Sequence, residues 1–459
     1  MASPLLSSPT DILRLILASL SSSTLHKLCL VHTDLRSLAE RFLYASIHWT
    51  WTESQTPPII LLLRSILRRP ELAAFIQNLT LNGATFERNQ HHSRRESPKL
   101  LVAEEDLDGL VRCIERIDVP YGDLWIQEMR AGSMNAFVAL LLSQLPDLRS
   151  LHLGKNFTRE TLLVGMMLRS ALCDKPTNHC LPSYEHLKDV SIAHFTLGID
   201  IGRYTHFRNI ADVLPLFYLP SVERITASVD NPVTFAWPAA HPPSLSKLTS
   251  MNLAMIREGN LGQVLSAASG LQKLRWDWCY REDLRDRFVT DAIDLDRIAT
   301  DLSHVRNTLA ELTISAASDM VRAEPEFPPL RITGQFNAFR NLTALKRLEV
   351  PLPFLLGFSP SRPDMKLLSD VLPPNIEFLT ITDDLYLQQE WEWRDVHLLQ
   401  VLRSWLQDWR TSTPHLRGFR LLLKIMDYEE WGPPMRQELR DLGSQVGVQI
   451  KITKLAGSM

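Results

Sequence analysis

The sequence has little cysteine, little net charge and no long apolar run. Its five cysteines are odd in number and scattered over 459 residues, which is typical of a reducing compartment rather than a disulfide framework. A net charge of -3 gives no overall basic field for nucleic acid or anionic lipid. No stretch of about 18 apolar residues occurs, and no basic leader precedes an apolar core. We therefore expect a soluble intracellular protein, cytoplasmic and/or nuclear, without nucleic-acid or membrane partners.

The common motifs of catalysis are also missing. No glycine-rich phosphate loop follows a predicted strand, and the sequence has neither a Gly-x-Ser-x-Gly elbow nor a His-Glu-x-x-His helix. None of the cysteines has neighbours in sequence that would activate a thiolate. The sequence therefore predicts that the protein is not an enzyme and uses no cofactor. A pocket within the long insertions of the chain is the remaining enzymatic alternative.

Two groups of side chains resemble sites by composition alone. Soft sulfur and imidazole ligands suit zinc, but the first group lacks a close Cys-x-x-Cys pair, so we interpret it as loop residues and predict no metal site. Acidic neighbours form the second group, which we interpret as a solvated turn because paired carboxylates act only in a pocket. The first group is Cys173, His179, Cys180 and His186, and the second is Asp383, Asp384, Glu390 and Glu392.

Residues 10–40 have a strong helical pattern. Apolar residues recur there at spacings of three and four, which predicts a first helix of about three turns from Ile12 to Leu20. Pro9 suits the start of this helix, and Ser7 or Ser8 could cap it. Three serines and a threonine at 21–24 predict a break and a new N-cap, after which the apolar stripe resumes. Helices this short cannot bury their own faces, so they should pack against a partner or the rest of the chain.

This segment resembles the F-box, the helical module that docks a substrate receptor onto the Skp-type adaptor of a cullin ubiquitin ligase. The family pattern is a proline, two apolar pairs one turn apart and a leucine-rich second helix that closes on Val and Arg. The chain matches it at Pro9, Ile12, Leu13, Ile16, Leu17, Leu20, Leu25, Leu28, Val31 and Arg36. It departs from the family at Ser8, His32 and Leu35, where Leu, Cys and Trp are usual.

The resemblance implies an apolar face that binds the Skp-type adaptor and, through it, a cullin. The residues of this face would be Pro9, Ile12, Leu13, Ile16, Leu20, Leu25, Leu28, Val31 and Leu35. If the resemblance fails, the alternative is that these helices only cap the end of the next domain.

A strand and a helix follow the N-terminal helices. Ile47, Trp49 and Trp51 alternate with polar residues as in a half-buried strand, and residues 59–67 read as a helix that ends in Arg68, Arg69 and a proline. Fungal F-box proteins carry a similar passage, so the resemblance extends to about residue 83. The very polar window 87–99 predicts an exposed, mobile loop.

A short pattern repeats along the rest of the chain. An apolar residue, two polar positions and an apolar-x-apolar pair predict a strand with two inward side chains, such as Leu151 and Leu153, preceded by a buried residue such as Leu148. Stretches long enough for a helix separate the copies, for example 134–145, 293–305 and 396–409. The copies lie at 145–153, 184–192, 219–227, 245–253, 269–277, 307–315, 342–350, 374–382 and 414–422, with approximate copies at 75–81 and 448–453.

We therefore predict an α/β fold in which a short N-terminal helical F-box is followed by an irregular leucine-rich-repeat solenoid with parallel strands. The predicted boundaries are 1–46 for the F-box-like module, 47–83 for a linking strand and helix with the first repeat, and 84–459 for the solenoid. The repeats resemble the degenerate ones found behind many F-boxes, because their spacing is long and irregular.

Four longer gaps between repeats, at 200–219, 231–243, 320–329 and 351–363, predict loops on one rim of the solenoid. Aromatic and arginine side chains make good interface anchors, although core packing is the favoured interpretation for each one. These candidates are Tyr204, Phe207, Arg208, Phe235, Trp237, Trp276, Trp278, Tyr280 and Arg281. If Trp276, Trp278 and Tyr280 point inward, Asp277 and Cys279 should point outward.

The leading functional hypothesis is a non-catalytic adaptor whose N-terminal helices bind the Skp-type subunit while the solenoid captures an unknown protein substrate for ubiquitination. The alternative is a repeat scaffold that binds a protein partner and whose N-terminal helices are only a cap. The substrate and the solenoid face that binds it do not follow from the sequence.

Overall fold

The computed structural model describes residues 9–52, 54–83, 98–154, 156–158, 162–174, 179–192, 213–229, 231–232, 234–281, 290–319, 329–361, 365–424 and 431–454. These residues form two compact units. Unit 1 takes its described residues from Met1–His194, Ala211–Val222 and Pro238–Ala240. Unit 2 takes its described residues from Phe195–Ile210, Glu223–Trp237 and His241–Met459.

Unit 1 begins with three helices, α1 (Thr10–Ala18), α2 (Ser22–Val31) and α3 (Thr33–Ala45). Pro9 immediately precedes α1, as predicted, whereas Ser7 and Ser8 lie outside the described residues. The predicted break is confirmed, because Ser21 accepts the Thr24 N–H at 3.3 Å and caps α2. His32 caps α3 in the same way, since its Nδ1 accepts the Asp34 N–H at 3.1 Å.

Four parallel strands follow in unit 1, each joined to the next by segments that contain helices. The strands pair in chain order, β1 with β2, β2 with β3 and β3 with β4. The elements are β1 (Ser46–Thr50), α4 (Ile59–Arg68), a 3-10 helix (Pro70–Phe75), β2 (Asn78–Asn82), α5 (Glu104–Ile117), α6 (Gly122–Arg130), α7 (Met134–Ser143), β3 (Ser150–Leu153), α8 (Leu162–Leu172), β4 (Asp189–Ile192) and a second 3-10 helix (Leu214–Tyr218).

Unit 2 contains eight strands that pair in parallel, and a separate pair formed by β8 and β10. Because β8 and β10 belong to this small sheet, β7 pairs directly with β9 and β9 with β11. The elements are β5 (Arg224–Ser228), β6 (Ser250–Ala254), α9 (Leu261–Ser266), β7 (Lys273–Arg281), β8 (Ala292–Asp294), α10 (Leu295–Ser303), β9 (Glu311–Asp319), β10 (Arg331–Thr333), β11 (Arg347–Pro351), α11 (Leu352–Leu356), α12 (Leu368–Val371), β12 (Phe378–Thr382), α13 (Asp395–Gln407), α14 (Trp409–Ser412), β13 (Gly418–Leu423), α15 (Pro433–Val446) and β14 (Gln449–Lys454).

The predicted repeat is confirmed at the level of register. Each of the eleven sequence copies places a strand where the apolar-x-apolar pair occurs, and equivalent apolar residues stand side by side on neighbouring strands. Parallel pairing in register stacks these side chains into continuous rows. One such row in unit 2 is at most 2% exposed and consists of Ile225, Met251, Leu274, Leu312, Leu348, Leu379 and Phe419.

The apolar residue that precedes each strand is buried as well. Leu148 is fully buried, and its counterparts in the other eight predicted copies are at most 3% exposed. Because this residue is buried just before the strand begins, an apolar side chain is favoured at its position. The predicted α/β fold of parallel strands and returning helices is therefore confirmed.

Two segments differ from the predictions. Pro120, Gly122 and Asp123 are turn-forming residue types that indicate a turn at this point of the sequence, yet α6 begins at Gly122. The gap 351–363 predicted a rim loop, but all five residues of α11 are buried, and Phe354 packs edge to face on Trp278 at 6.2 Å between ring centroids. The loop predicted at 87–99 lies outside the described residues except for its last two positions.

Candidate interaction surfaces

The three N-terminal helices share a small core of their own. Leu17 of α1, Leu25 of α2 and Ala39 of α3 are at most 4% exposed and form its centre. Six partly buried residues pack around this centre, namely Leu20, Leu28, Cys29, Leu38, Phe42 and Leu43. The three helices therefore form a packed unit, which we call the N-terminal module, within unit 1.

The structure divides the predicted adaptor-binding face into three groups by exposure. Leu13, Leu25 and Leu35 are at most 6% exposed, so in this packing they stabilise the N-terminal module and are not available for contact. Leu20 and Leu28 are half-buried. The exposed members of the predicted face are Pro9, Ile12, Ile16 and Val31.

Several large apolar side chains of the N-terminal module are open to solvent. Ile12 is 48% exposed and Ile16 is 39% exposed, on the turns of α1 next to the buried Leu13 and Leu17. Leu15 (70%) and Leu30 (75%) are exposed too, although the predicted face did not include them, and Val31 is 74% exposed. Leu15 stands three residues after Ile12 and one before Ile16, so helical spacing alone could have placed it on their side of α1. Apolar side chains gathered on one helix face mark a surface suited to a partner.

A buried carboxylate ties the N-terminal module to the first repeat. Glu40 of α3 accepts two hydrogen bonds from Arg69, each of 2.8 Å, and a third of 2.8 Å from Nε of Arg36. These bonds, Arg69 foremost, lower the pKa of Glu40 to about 2 against the desolvation that raises it. Arg41 of α3 also lies over the Phe75 ring, 5.5 Å from its centroid. The N-terminal module is therefore joined to the segment before β2 by directional contacts.

The second candidate surface is the solvent-facing side of the strands in unit 2. Residues between the inward ones alternate to this side, and they are mostly charged or polar. Among the described outward residues of the eight strands of unit 2 that pair in parallel, six are cations: Arg224, Lys273, Arg275, Arg347, Arg420 and Lys451. We call this set the basic strand face.

Acidic side chains on the same side pair with part of this charge. Lys273 lies 3.1 Å from Glu311, Arg275 lies 3.2 Å from Asp277 and Arg420 lies 3.3 Å from Glu349. Arg347 is 4.0 Å from Glu311, and its guanidinium stacks on the Phe378 ring at 4.6 Å from the centroid. The cations remain open, since the side chains of Lys273, Arg275 and Arg347 are at least half exposed.

The strands of unit 1 present a different surface on the same side. Its two complete rows consist of Ser46, Asn78, Ser150 and Asp189, and of His48, Thr80, His152 and Ser191. Among these described residues Asp189 carries the one formal charge, and burial lowers the pKa of His152. The positive charge is thus a property of the unit 2 strands and not of the repeat pattern itself.

Most of the predicted aromatic anchors lie in the core or outside the described residues. Trp276 and Trp278 are fully buried, and the Trp278 Nε1–H donates to Glu258 at 3.0 Å beneath the Arg257 guanidinium, 4.2 Å from the ring centroid. Phe235 and Trp237 are half-buried and contact each other edge to face. Tyr280 is half-buried, Tyr204, Phe207 and Arg208 lie outside the described residues, and the side chain of Arg281 is not described.

The acidic pair predicted as a solvated turn is buried. Asp383 and Asp384 directly follow β12 and are 3% and 4% exposed. Their side chains contact β9 and the residue that follows β13. Asp384 Oδ2 accepts the Ala316 N–H at 2.9 Å and pairs with Lys424 Nζ, while Asp383 accepts the Lys424 N–H at 2.6 Å. Burial raises the pKa of Asp384, and Lys424 opposes that rise. The carboxylates therefore accept from one backbone donor within β9 and from two donors of Lys424, the residue that follows β13.

Asp277 and Cys279, expected to point outward, are also buried. They are 6% and 3% exposed, in the part of β7 that pairs with Ser315 and Ala317 of β9. Burial raises the pKa of Asp277, and Arg275, followed by Lys424 and Ser315, opposes that rise. Inward and outward sides of the strands are both covered at this level of unit 2.

The described residues offer little that resembles a reaction centre. Within that part of the chain, no group of three or more His, Cys, Asp or Glu side chains is placed to hold a metal ion. Cys180 is exposed, and burial raises the pKa of Cys173 to about 12, which disfavours its thiolate. Among the described helices, none is long and apolar enough to span a bilayer. A cleft of about 900 Å³ in unit 2 has Tyr386, Trp391 and His397 on its wall.

Comparison with known proteins assigns the repeats. The family model of the leucine-rich repeat domain matches residues 52–457, which is most of the chain and includes every strand from β2 to β14. The helices α1 to α3 precede the matched residues. No curated protein matches the sequence.

Proposed function

The chain belongs to the leucine-rich repeat domain family, whose members are typically non-enzymatic scaffolds for protein–protein interaction, and from this premise we propose that it is the substrate-recognition subunit of a cullin ubiquitin ligase. In this function the N-terminal module docks on the Skp-type adaptor, and the repeats bind a protein substrate. The observation that carries the proposal is the row of exposed apolar side chains on α1, Ile12, Leu15 and Ile16, in front of a domain built to bind proteins.

The packing of the N-terminal module supports this function. Because Leu17, Leu25 and Ala39 already fill its core, the exposed residues of α1 are not needed to hold the three helices together. Apolar surface left uncovered on a stable module is a cost that a partner removes, at roughly 25 cal/mol for each Å² that becomes buried. The Glu40–Arg69 pair fixes the module on the first repeat, so an adaptor bound there would be held in a fixed position on that repeat.

The exposure pattern selects the variant that tests adaptor binding. Replacing Leu28 would disturb the core of the N-terminal module, because Leu28 packs against Leu17, Leu25 and Ala39. We therefore choose Ile12→Asp with Ile16→Asp, which places charges on the exposed side of α1 only. The matched control is Leu61→Asp with Leu162→Asp, two exposed leucines on helices of unit 1 outside the module.

The test is a pull-down of purified full-length protein with a purified Skp-type adaptor. The wild type and the Leu61/Leu162 control should retain the adaptor, the Ile12/Ile16 variant should lose it, and all three should melt at similar temperatures. Retention of adaptor by the Ile12/Ile16 variant would show that α1 is not the docking helix.

A second function is a repeat scaffold in which the N-terminal module is only a cap. The contacts of Glu40 with Arg69 and of Arg41 with Phe75 favour it, because a cap must be fastened to the repeat that it covers. The two functions differ in one outcome: the wild-type cap does not bind the adaptor at micromolar concentration, whereas the docking module does.

A further inference from the structure

We infer that the basic strand face of unit 2 binds an acidic segment of a protein partner. This inference rests on the proposed function in one respect, that the partner held there would be the substrate; the binding itself follows from the arrangement of charge on the strands. Arg275, Arg347 and Arg420 are its central residues, because they lie on three different strands and point to the same side.

The first support is the excess of positive charge. On the outward-facing rows of the described unit 2 strands, six cations stand beside three carboxylates, those of Asp277, which is buried, Glu311 and Glu349. The whole chain, in contrast, has a net charge of -3. A local field of the opposite sign to the net charge selects for a partner of complementary charge and speeds its encounter.

The second support is the openness of these cations. The side chains of Arg275, Arg347 and Arg420 are 50%, 60% and 41% exposed. Arg347 and its partner Glu311 are both exposed, and an ion pair of this kind is weak, so a carboxylate of the bound segment can share Arg347 at little cost. The Phe378 ring beneath Arg347 fixes the guanidinium in place and adds apolar surface to the site.

The third support is the spacing of the strands. From β7 the order of neighbours is β9, β11, β12, β13 and β14, which makes five steps across the sheet. At about 4.8 Å for each step this distance is about 24 Å, the length of about seven residues of extended chain. A short acidic segment that crosses the strands therefore reaches from Arg275 on β7 to Lys451 on β14.

A protein segment fits this face better than a nucleic acid does. Glu311 and Glu349 stand among the cations, and fixed carboxylates at these places repel a continuous phosphate backbone. A peptide can leave its uncharged residues opposite these carboxylates and opposite Phe378. Aspartate, glutamate and phosphoserine share the chemistry that the arginines recognise, so the experiment has an arm for each source of charge.

The experiment measures fluorescence anisotropy of labelled peptides of about seven residues, matched to the span of the sheet, with the full-length protein. The probes are a peptide of alternating glutamate and aspartate, its glutamine and asparagine counterpart, a phosphoserine peptide of equal charge, and an oligothymidylate of similar length. The variant is Arg275→Gln with Arg347→Gln and Arg420→Gln, which removes charge but keeps polar side chains of similar length. The control variant is Arg306→Gln with Lys366→Gln and Arg440→Gln, three exposed cations outside the strands.

We expect the acidic peptide to bind the wild type and the control equally, and to bind the strand variant roughly tenfold more weakly. Tighter binding of the phosphoserine peptide identifies phosphate as the source of charge and also supports the inference. Equal binding of the glutamine peptide, no loss in the strand variant, or preference for the oligothymidylate would overturn it.

One further measurement needs no variant and protects the test against misfolding. Raising sodium chloride from about 0.05 M to about 0.5 M should weaken the wild-type complex strongly, because the charges are exposed and screened by salt. Binding that does not respond to salt would overturn the inference. Because no adaptor is present in either measurement, a failure here leaves the adaptor proposal standing, and a failed adaptor pull-down leaves the peptide result standing.

Discussion

Glu40 shows how one side chain can connect two parts of unit 1. A glutamate on a helix is usually exposed to solvent. The carboxylate of Glu40 on α3 is instead buried and accepts three hydrogen bonds from Arg36 and Arg69. A carboxylate with such partners is stabilised in its ionised form, which is why its pKa falls to about 2. Arg36, which the F-box resemblance includes, therefore has a structural role in holding Glu40.

Replacing Glu40 with Gln should lower the stability of the protein at neutral pH by about 1 kcal/mol, because both arginines are more than a third exposed and solvent screens the pair. The folded-state pKa lies below the unfolded one, so the stabilisation is complete above pH 4.5 and is lost as pH falls from 4.5 towards about 2. Urea unfolding of both proteins across this interval measures the effect. A difference that stayed constant down to the lower pH would contradict the role of the charge.

Asp384 is a second residue whose role comes from burial. The pairing of β9 with β11 ends at Thr313, and further along β9 the Asp384 carboxylate accepts the Ala316 N–H, as a neighbouring strand would. Lys424 Nζ supplies the countercharge at 2.9 Å. A sequence pattern of two adjacent aspartates cannot reveal this, because the donors come from residues 316 and 424, far away in the chain.

Replacing Asp384 with Ala should destabilise the protein by about 3 kcal/mol, because it leaves the Ala316 N–H and the Lys424 ammonium without this acceptor in a buried place. Asp384→Asn should cost clearly less, since the amide oxygen can still accept the Ala316 N–H. Thermal unfolding of the two variants gives the comparison. If the two substitutions cost the same, the hydrogen bond to β9 does not contribute.

At the scale of an element, α1 has two apolar sides, of which one is buried and the other is exposed to solvent. Leu13 and Leu17 face the core of the N-terminal module, and Ile12, Leu15 and Ile16 face solvent. The sequence predicted the helix and its apolar residues correctly, but it could not predict the division. Helical spacing shows that a stripe is apolar, whereas the packing of α3 against α1 decides which half of the stripe is covered.

A matched pair of substitutions on α1 tests this division. Leu17→Ala should destabilise the protein by about 2 to 4 kcal/mol, because it opens a cavity in the module core. Leu15→Ala removes a side chain that is 70% exposed and should change stability by less than about 0.5 kcal/mol. Hydrogen exchange of the α2 and α3 amides reports local opening of the module. Equal protection in the two variants would contradict the assigned core.

The helices α11 and α6 were not predicted, because residues at their starts are typical of loops and turns. Residues 351–363 contain several prolines and predicted a loop, but Pro351 precedes α11 and Pro353 lies in its first turn, where proline is tolerated. Glycine is likewise typical of turns, yet Gly122 is the first residue of α6. In both places the apolar residues that follow are pulled into the core, and tertiary packing decides the conformation.

At the scale of the whole molecule, the repeat was the part that the sequence predicted best. Each copy of the repeat has an apolar residue at a fixed distance before an alternating apolar-x-apolar pair. This pattern specifies a strand, its inward side and its register, so eleven strands were placed correctly. The sequence did not predict the separate pairing of β8 with β10, because a strand of three residues is too short to show an alternating pattern. The charge of the outward rows becomes visible only when register brings cations from distant repeats together.

The most direct test of the adaptor function is a calorimetric titration of a purified Skp-type adaptor into the full-length wild-type protein. We predict saturable binding of one adaptor to one chain at micromolar concentration or below, with the negative heat-capacity change that accompanies burial of apolar surface such as that of Ile12, Leu15 and Ile16. No heat of binding at micromolar concentrations, from a protein whose melting shows that it is folded, would contradict the docking function and leave the N-terminal module as a cap.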